Sequence, residues 1–237
     1  MSIVLRLRFP EPPQNVVLPL RARPFKRMRK PVCLDLFSGL GGWAEGLMAA
    51  GFHVIGMELD PRFIGRYPSE MIVQDVLTFS GHRARGIVDL VVASPPCTEP
   101  SYRAMPWKRA KALNAAGPPT KFIELFNACF RIAEEIGCPV VVENVKGAQP
   151  WVGRAKWHYG SFYLWGSVPA LMPVFDGEWK GFAAVWADKE MHRARGAFKS
   201  EQRANWAAER AKIPFALSHH IGKVFMEDLC SRQSANF

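Results

Sequence analysis

The chain has no long hydrophobic run. None of its apolar stretches approaches the roughly 20 residues a membrane span needs, and its basic start has no apolar core of the secretory type. We therefore expect no membrane contact and no export. Its 237 residues hold five cysteines, an odd number scattered over expected strands and a helix. That excludes a disulfide framework and fits a reducing, cytoplasmic compartment. Acidic residues are scarce as well: 21 Asp and Glu face 31 Lys and Arg, for a formal charge of +10. Such an excess points to a polyanionic partner. No internal repeat or low-complexity tract is present. The adjacent His219 and His220 have no partner at metal-ligand spacing, so no metal site is expected. What the chain does have is a hydrophobic fraction of 49%, enough for one sizeable α/β domain.

Residues 1–30 read as a basic arm. Val4 to Phe9 alternates apolar residues with Arg6 and Arg8, as an edge strand would. Prolines then punctuate a run that ends in Arg21, Arg23, Lys26, Arg27, Arg29 and Lys30. From residue 31 the pattern is regular. Val32–Leu36 is a short buried strand, Phe37–Gly42 a glycine-rich turn, and Trp43–Ala50 a helix stopped at Gly51. Strands are expected at 53–57, 71–73, 88–93 and 139–142, and a short helix at 61–67. Apolar residues at three-and-four spacing from Phe122 to Ile136 mark an amphipathic helix. The alternation of strands and helices predicts an α/β fold with a doubly wound, mostly parallel sheet. Ser161–Trp165 adds a possible late strand, and Ser200–Lys212 a basic helix.

Ligands of open α/β sheets bind outside the carboxyl ends of the strands. Asp35, Glu58, Asp75, Cys97 and Glu143 all fall at or near such ends. Cys97 follows Ser94-Pro95-Pro96, where two prolines terminate a β-branched run and stiffen the turn. Gly39-Leu40-Gly41-Gly42-Trp43-Ala44 matches G-x-G-x-x-A between a strand and a helix, and Glu58 follows about 20 residues on. This pattern suits a cofactor bearing adenosine and leaves NAD and S-adenosylmethionine both open.

Taken in order, Asp35-Leu36-Phe37-Ser38-Gly39-Leu40-Gly41-Gly42, Glu58, Gln74-Asp75-Val76, Ser94-Pro95-Pro96-Cys97 and Glu143-Asn144-Val145 resemble the cytosine-C5 DNA methyltransferase family, in a compact, phage or mobile-element form. The resemblance covers about half the chain. It implies a Rossmann-like class I methyltransferase fold, S-adenosylmethionine as donor with S-adenosylhomocysteine as product, double-stranded DNA as partner, and a bacterial or phage-infected cell. It would place Asp35, Phe37, Ser38, Gly39, Gly41, Gly42, Glu58, Asp75 and Pro95 at the cofactor. Cys97 would be the nucleophile, Glu143 the acid at the base and Asn144 the residue ordering the turn. The same motifs serve a tRNA-methylating branch, and a decayed, non-catalytic scaffold is a further alternative.

The resemblance thins beyond residue 150. Tyr159–Gly166 stands where the family has Gln-x-Arg-x-Arg, without the arginines; Arg154 and Lys156 are the candidates to substitute. Ile221-Gly222-Lys223-Val224 stands for the late Gly-Asn-Ser-Val motif. We divide the chain into an arm (1–30), a catalytic domain (31–169), a small target-recognition region (170–215) and a returning segment (216–237). Ser101, Arg103, Lys108 and Arg109 belong to a polar loop (98–118) suited to cover a flipped base. Arg193, Arg195 and Arg203 belong to the recognition region. So short a reader leaves room for a homodimer or a protein partner to add contacts.

Overall fold

The structure, a computed structural model, describes residues 29–98, 100, 118–170, 208–209 and 211–234. A seven-stranded sheet organises them, in the order β3-β2-β1-β4-β5-β7-β6. The strands are β1 (Val32–Leu36), β2 (His53–Glu58), β3 (Glu70–Val73), β4 (Leu90–Ala93), β5 (Val140–Asn144), β6 (Trp157–Tyr159) and β7 (Phe162–Gly166). β1 to β5 are parallel; β7 runs antiparallel to β5, and β6 antiparallel to β7. The order reverses between β1 and β4, so the turns after these two strands flank a topological switch point.

The central strands are buried on both faces, which is why they read as continuous apolar runs. Leu34, Leu36, Val91, Val140 and Val142 face one core, closed by helix α2 (Thr120–Ile136) through Phe122, Phe126, Cys129 and Ile132. Cys33, Val54, Leu90, Val92 and Val141 face the other. That side is closed by α1 (Gly42–Ala49) and by α4 (Phe215–Ser234); a one-turn helix α3 (Gln149–Val152), between β5 and β6 in sequence, packs Trp151 and Val152 against the first core. α2 ends on Gly137 in the left-handed region (φ 84°), as a C-terminal cap requires.

α1 and α4 lie unusually close. A Cβ on Gly46 would stand 2.1 Å from Ser218 Oγ and 2.3 Å from the His219 backbone nitrogen, and one on Gly42 2.3 Å from the Ile213 nitrogen. These two glycines, one turn apart, open a groove that α4 and the residues before it fill.

Three local expectations change. The helix expected over 61–67 is only a 3-10 turn, Pro61–Phe63, capped by Asp60; Gly65 in the left-handed region stops it. The strand expected from residue 88 starts at Leu90, because the Asp89 carboxylate accepts from the Val32 amide (2.8 Å) and from Arg29 (3.2 Å). Glu143 and Asn144 lie inside β5, because β7 pairs with them in antiparallel register. The arm up to residue 28 and most of the segment 170–215 lie outside the described residues, including residues 200–207 and 210 of the basic helix expected at 200–212; of that helix, Ala208, Glu209 and Ala211 are helical.

Candidate active site

The glycine turn after β1 is drawn into a strained shape. Phe37 has φ 58° and stands alone among the described non-glycine residues in having a positive φ. Strain of this kind collects where a backbone must meet a ligand. The Ser38 amide donates to Met57 O (3.2 Å), and the Gly41 amide to Ser38 O (2.8 Å). The turn is latched to β2 by Glu58, whose carboxylate accepts from the Gly39 amide (3.0 Å) and also from Leu59 (2.9 Å) and Asp60 (3.2 Å).

The turn after β4 is tied to the same structure from the other side. Trp43 Nε1 donates to Ser94 Oγ (3.0 Å), and the Ser94 amide donates to Leu36 O (3.3 Å). β5 joins through Asn144, whose Nδ2 donates to Pro95 O (2.8 Å) while its Oδ1 accepts from the Val145 amide (2.9 Å). Glu58–Gly39, Trp43–Ser94 and Asn144–Pro95 thus fasten β2, β1, β4 and β5 together along the carboxyl edge of the sheet.

A pocket of about 210 Å3 opens at this edge. One wall is the glycine turn, including Phe37, Ser38, Gly39 and Gly42; another is Glu58 with Phe63; a third is Ser94, Pro95, Pro96 and Cys97. The fourth is Ala208, Ala211, Lys212 and Ile213. Of the expected cofactor residues, Phe37, Ser38, Gly39, Gly42, Glu58 and Pro95 therefore meet in one cavity, with Cys97 on its rim, half-buried.

The other expected site residues lie behind or beside it. Asp35 is buried in β1, where its Oδ2 accepts from Tyr67 OH (3.1 Å) and its Oδ1 has no partner. Burial pushes its carboxyl well above the usual range, against the Tyr67 hydrogen bond, and the nearby Glu58 pushes the same way. Gly41 (φ 83°) turns the chain against Pro68. Asp75 caps the next 3-10 turn through the Leu77 amide (2.9 Å). Glu143 is fully buried in β5. Arg154 and Lys156 are exposed on the approach to β6. Ser101, Arg103, Lys108, Arg109, Arg193, Arg195 and Arg203 lie outside the described residues.

The model of the C-5 cytosine-specific DNA methylase family matches residues 32–150, half of the chain. The chain belongs to the C-5 cytosine-specific DNA methylases. Within this methylase family a stretch is 35% identical over 75 residues to the Type II methyltransferase M1.HphI of Haemophilus parahaemolyticus, covering 27% of this chain. The match spans only 20% of that relative's length. Among solved structures, the Entamoeba histolytica methyltransferase EhMeth is 15% identical with a TM-score of 0.37, covering 52% of this chain and 40% of its own. The S. pombe Dnmt2 methyltransferase is 17% identical with a TM-score of 0.34, covering 51% and 35%.

Some of the pocket escaped the sequence reading. Phe63, Lys212 and Ile213 line it, as do Trp43 and Ser94 from the quoted motifs, and none of the five was named as a site residue. The late motif is also displaced. Gly222 packs against Leu47 of α1 and the capping Ala50, and Lys223 is exposed, so Ile221–Val224 lies away from the pocket while Ala208, Ala211, Lys212 and Ile213 line it. A signal was there: Ile213-Pro214 directly precedes the apolar spacing of Leu217, Ile221 and Phe225, marking a helix start.

Proposed function

We propose that the chain transfers a methyl group from S-adenosylmethionine to carbon 5 of cytosine in duplex DNA. The observation that carries this reading is the Asn144–Pro95 hydrogen bond (2.8 Å). It makes the Cys97 turn and the Glu143-bearing end of β5 one rigid unit, on the edge of the pocket that Glu58 and the glycine turn build.

The pocket fits the donor. Ser38 Oγ is buried at its wall without a hydrogen-bond partner, and space is open around Gly39, where a Cβ would meet nothing within 4 Å. Glu58 supplies carboxylate oxygens for ribose hydroxyls, with Phe37 and Phe63 as apolar walls. When bound, the donor would supply an electrophilic methyl group.

The chain's own residues do the remainder. Carbon 5 of cytosine is a weak nucleophile. The Cys97 sulfur, as thiolate, adds at carbon 6 and turns the ring into an enamine nucleophilic at carbon 5. Glu143, buried and held by β5, keeps a proton at the ring's N3 and so stabilises the charge that develops there. After methylation, loss of the carbon-5 proton and expulsion of the thiolate restore the ring and the enzyme. In a duplex the base must leave the stack to reach Cys97. Residues 98–118, with Ser101, Arg103, Lys108 and Arg109, would cover it, and 170–215 would read the flanking DNA.

The test is nucleoside mass spectrometry on DNA from cells that lack native cytosine methylation. The cells express this chain or its Cys97→Ala variant. The expected result is 5-methylcytosine with the unaltered chain alone. 5-Methylcytosine in RNA and none in DNA would move the substrate to RNA. Its absence from both would overturn the reading.

A further inference from the structure

The fourth wall of the pocket carries the only cation in its described lining. Among the described lining residues just two side chains are charged: Glu58 on one side and Lys212 on the other. Lys212 stands there by construction. Its neighbour Ile213 is buried against α1, and Gly42 has no room for a Cβ because the backbone of residues 212–213 occupies that space, with the Lys212 carbonyl carbon 3.1 Å from where the Cβ would be. The lysine is thus fixed beside the glycine turn although nearly 170 residues separate them in sequence. Its Nζ is held by Glu45 Oε1 at 2.7 Å, and its side chain is 28% exposed.

We propose that Lys212 recognises the carboxylate at the amino-acid end of the donor. This rests on the reading of the pocket as a site for S-adenosylmethionine. The two charges match the ligand's two polar ends: a carboxylate for the ribose diol at Glu58, an ammonium for the α-carboxylate at Lys212. A lysine in this role acts as a compact point charge with three donors. It can keep Glu45 as one partner and still offer N–H groups to the ligand. Glu45 does not line the pocket; it pairs with the lysine's ammonium beside α1.

The experiment compares two ligands on the full chain by isothermal titration calorimetry. S-adenosylhomocysteine keeps the carboxylate; 5′-methylthioadenosine lacks the whole amino-acid end. Lys212→Met is expected to weaken S-adenosylhomocysteine about tenfold, the scale of one charge-assisted hydrogen bond at a partly exposed site. It should leave 5′-methylthioadenosine within about twofold, and Lys212→Arg should restore most of the loss. Glu45→Gln breaks the same ion pair and should leave both ligands within about threefold.

If Lys212→Met leaves S-adenosylhomocysteine unchanged, the proposal falls while the donor reading stands. Equal loss of both ligands in Lys212→Met and Glu45→Gln would also overturn it, since the ion pair would then be serving only to dock the segment. If the unaltered chain binds neither ligand, the donor reading itself falls, and this proposal with it.

Discussion

Gly46→Ala tests the closest approach found at any described glycine. On an isolated helix this change would help, because alanine is favoured over glycine by about 1 kcal/mol. Here the new methyl would stand 2.1 Å from Ser218 Oγ and 2.3 Å from the His219 backbone nitrogen, where ordinary contacts begin at 3.4 Å. Rotating Ser218 relieves the first clash only. The second involves main chain, so α4 must retreat by about 1 Å. Overpacking of this kind costs about 1–3 kcal/mol and sometimes more. The retreat also loosens Leu217, Ile221 and Phe225, each buried, and full burial of such a side chain contributes about 1.5–3 kcal/mol. Set against the gain in propensity, the expected net loss is about 2–4 kcal/mol, or a fall in Tm of about 5–15 °C for a chain of this size. Differential scanning calorimetry on purified protein reads it directly. An unchanged or raised Tm would refute the argument, for it would mean that α4 does not lie in the Gly42–Gly46 groove.

Three further outcomes follow from the same geometry. Asn144→Ala removes the tie to Pro95 O, so methyl transfer should fall about 100-fold while S-adenosylhomocysteine binds within a few-fold; a matching loss of binding would count against a positioning role. In brief iodoacetamide labelling of the native protein at pH 8, read by peptide mass spectrometry, Cys97 and the exposed Cys230 should react first. Burial raises the thiols of Cys33 and Cys129 and pushes Cys138 up to about 12, so early labelling of Cys33 would be the contrary result. Asp35→Asn should alter the pH profile of stability. The folded-state pKa of Asp35 is raised by burial, so its stabilising contribution is full below the unfolded value of about 3.9 and is lost as pH rises through the folded one. In urea titrations the variant should match the parent near pH 3.5 and exceed it at pH 8; equal stability at pH 8 would refute the assignment.

The strand ends that form the pocket edge were legible because their parts are local. A β-branched run broken by Pro95-Pro96 ends a strand wherever it occurs, and a glycine turn followed by Trp43 starts a helix. The reading went astray where distant segments decide. Glu143 and Asn144 look like the residues closing a strand, but the hairpin of β6 and β7 returns antiparallel and extends β5 over both. Ile221-Gly222-Lys223-Val224 stands where the family has its late Gly-Asn-Ser-Val motif, yet Gly222 serves contact with α1, and Ala208, Ala211, Lys212 and Ile213 are the late residues that line the pocket. Gly42 sits in a cofactor-type motif and does line the pocket, but the same missing Cβ also admits the backbone of Ile213. No local pattern separates those two uses of a glycine.

The α1–α4 groove has a consequence for the order in which the molecule can acquire its parts. The sheet up to β5 can assemble from neighbouring segments as the chain emerges from the ribosome. The fourth wall of the pocket joins residues some 170 positions apart, and contacts of such separation form late and slowly. A nascent chain therefore has its Cys97 turn well before it has an enclosed pocket, whose fourth wall is missing until α4 has docked. Any ligand that prefers the closed arrangement then stabilises the docked α4 by mass action. An occupant of the pocket would thus act as a clamp on a contact between residues some 170 positions apart.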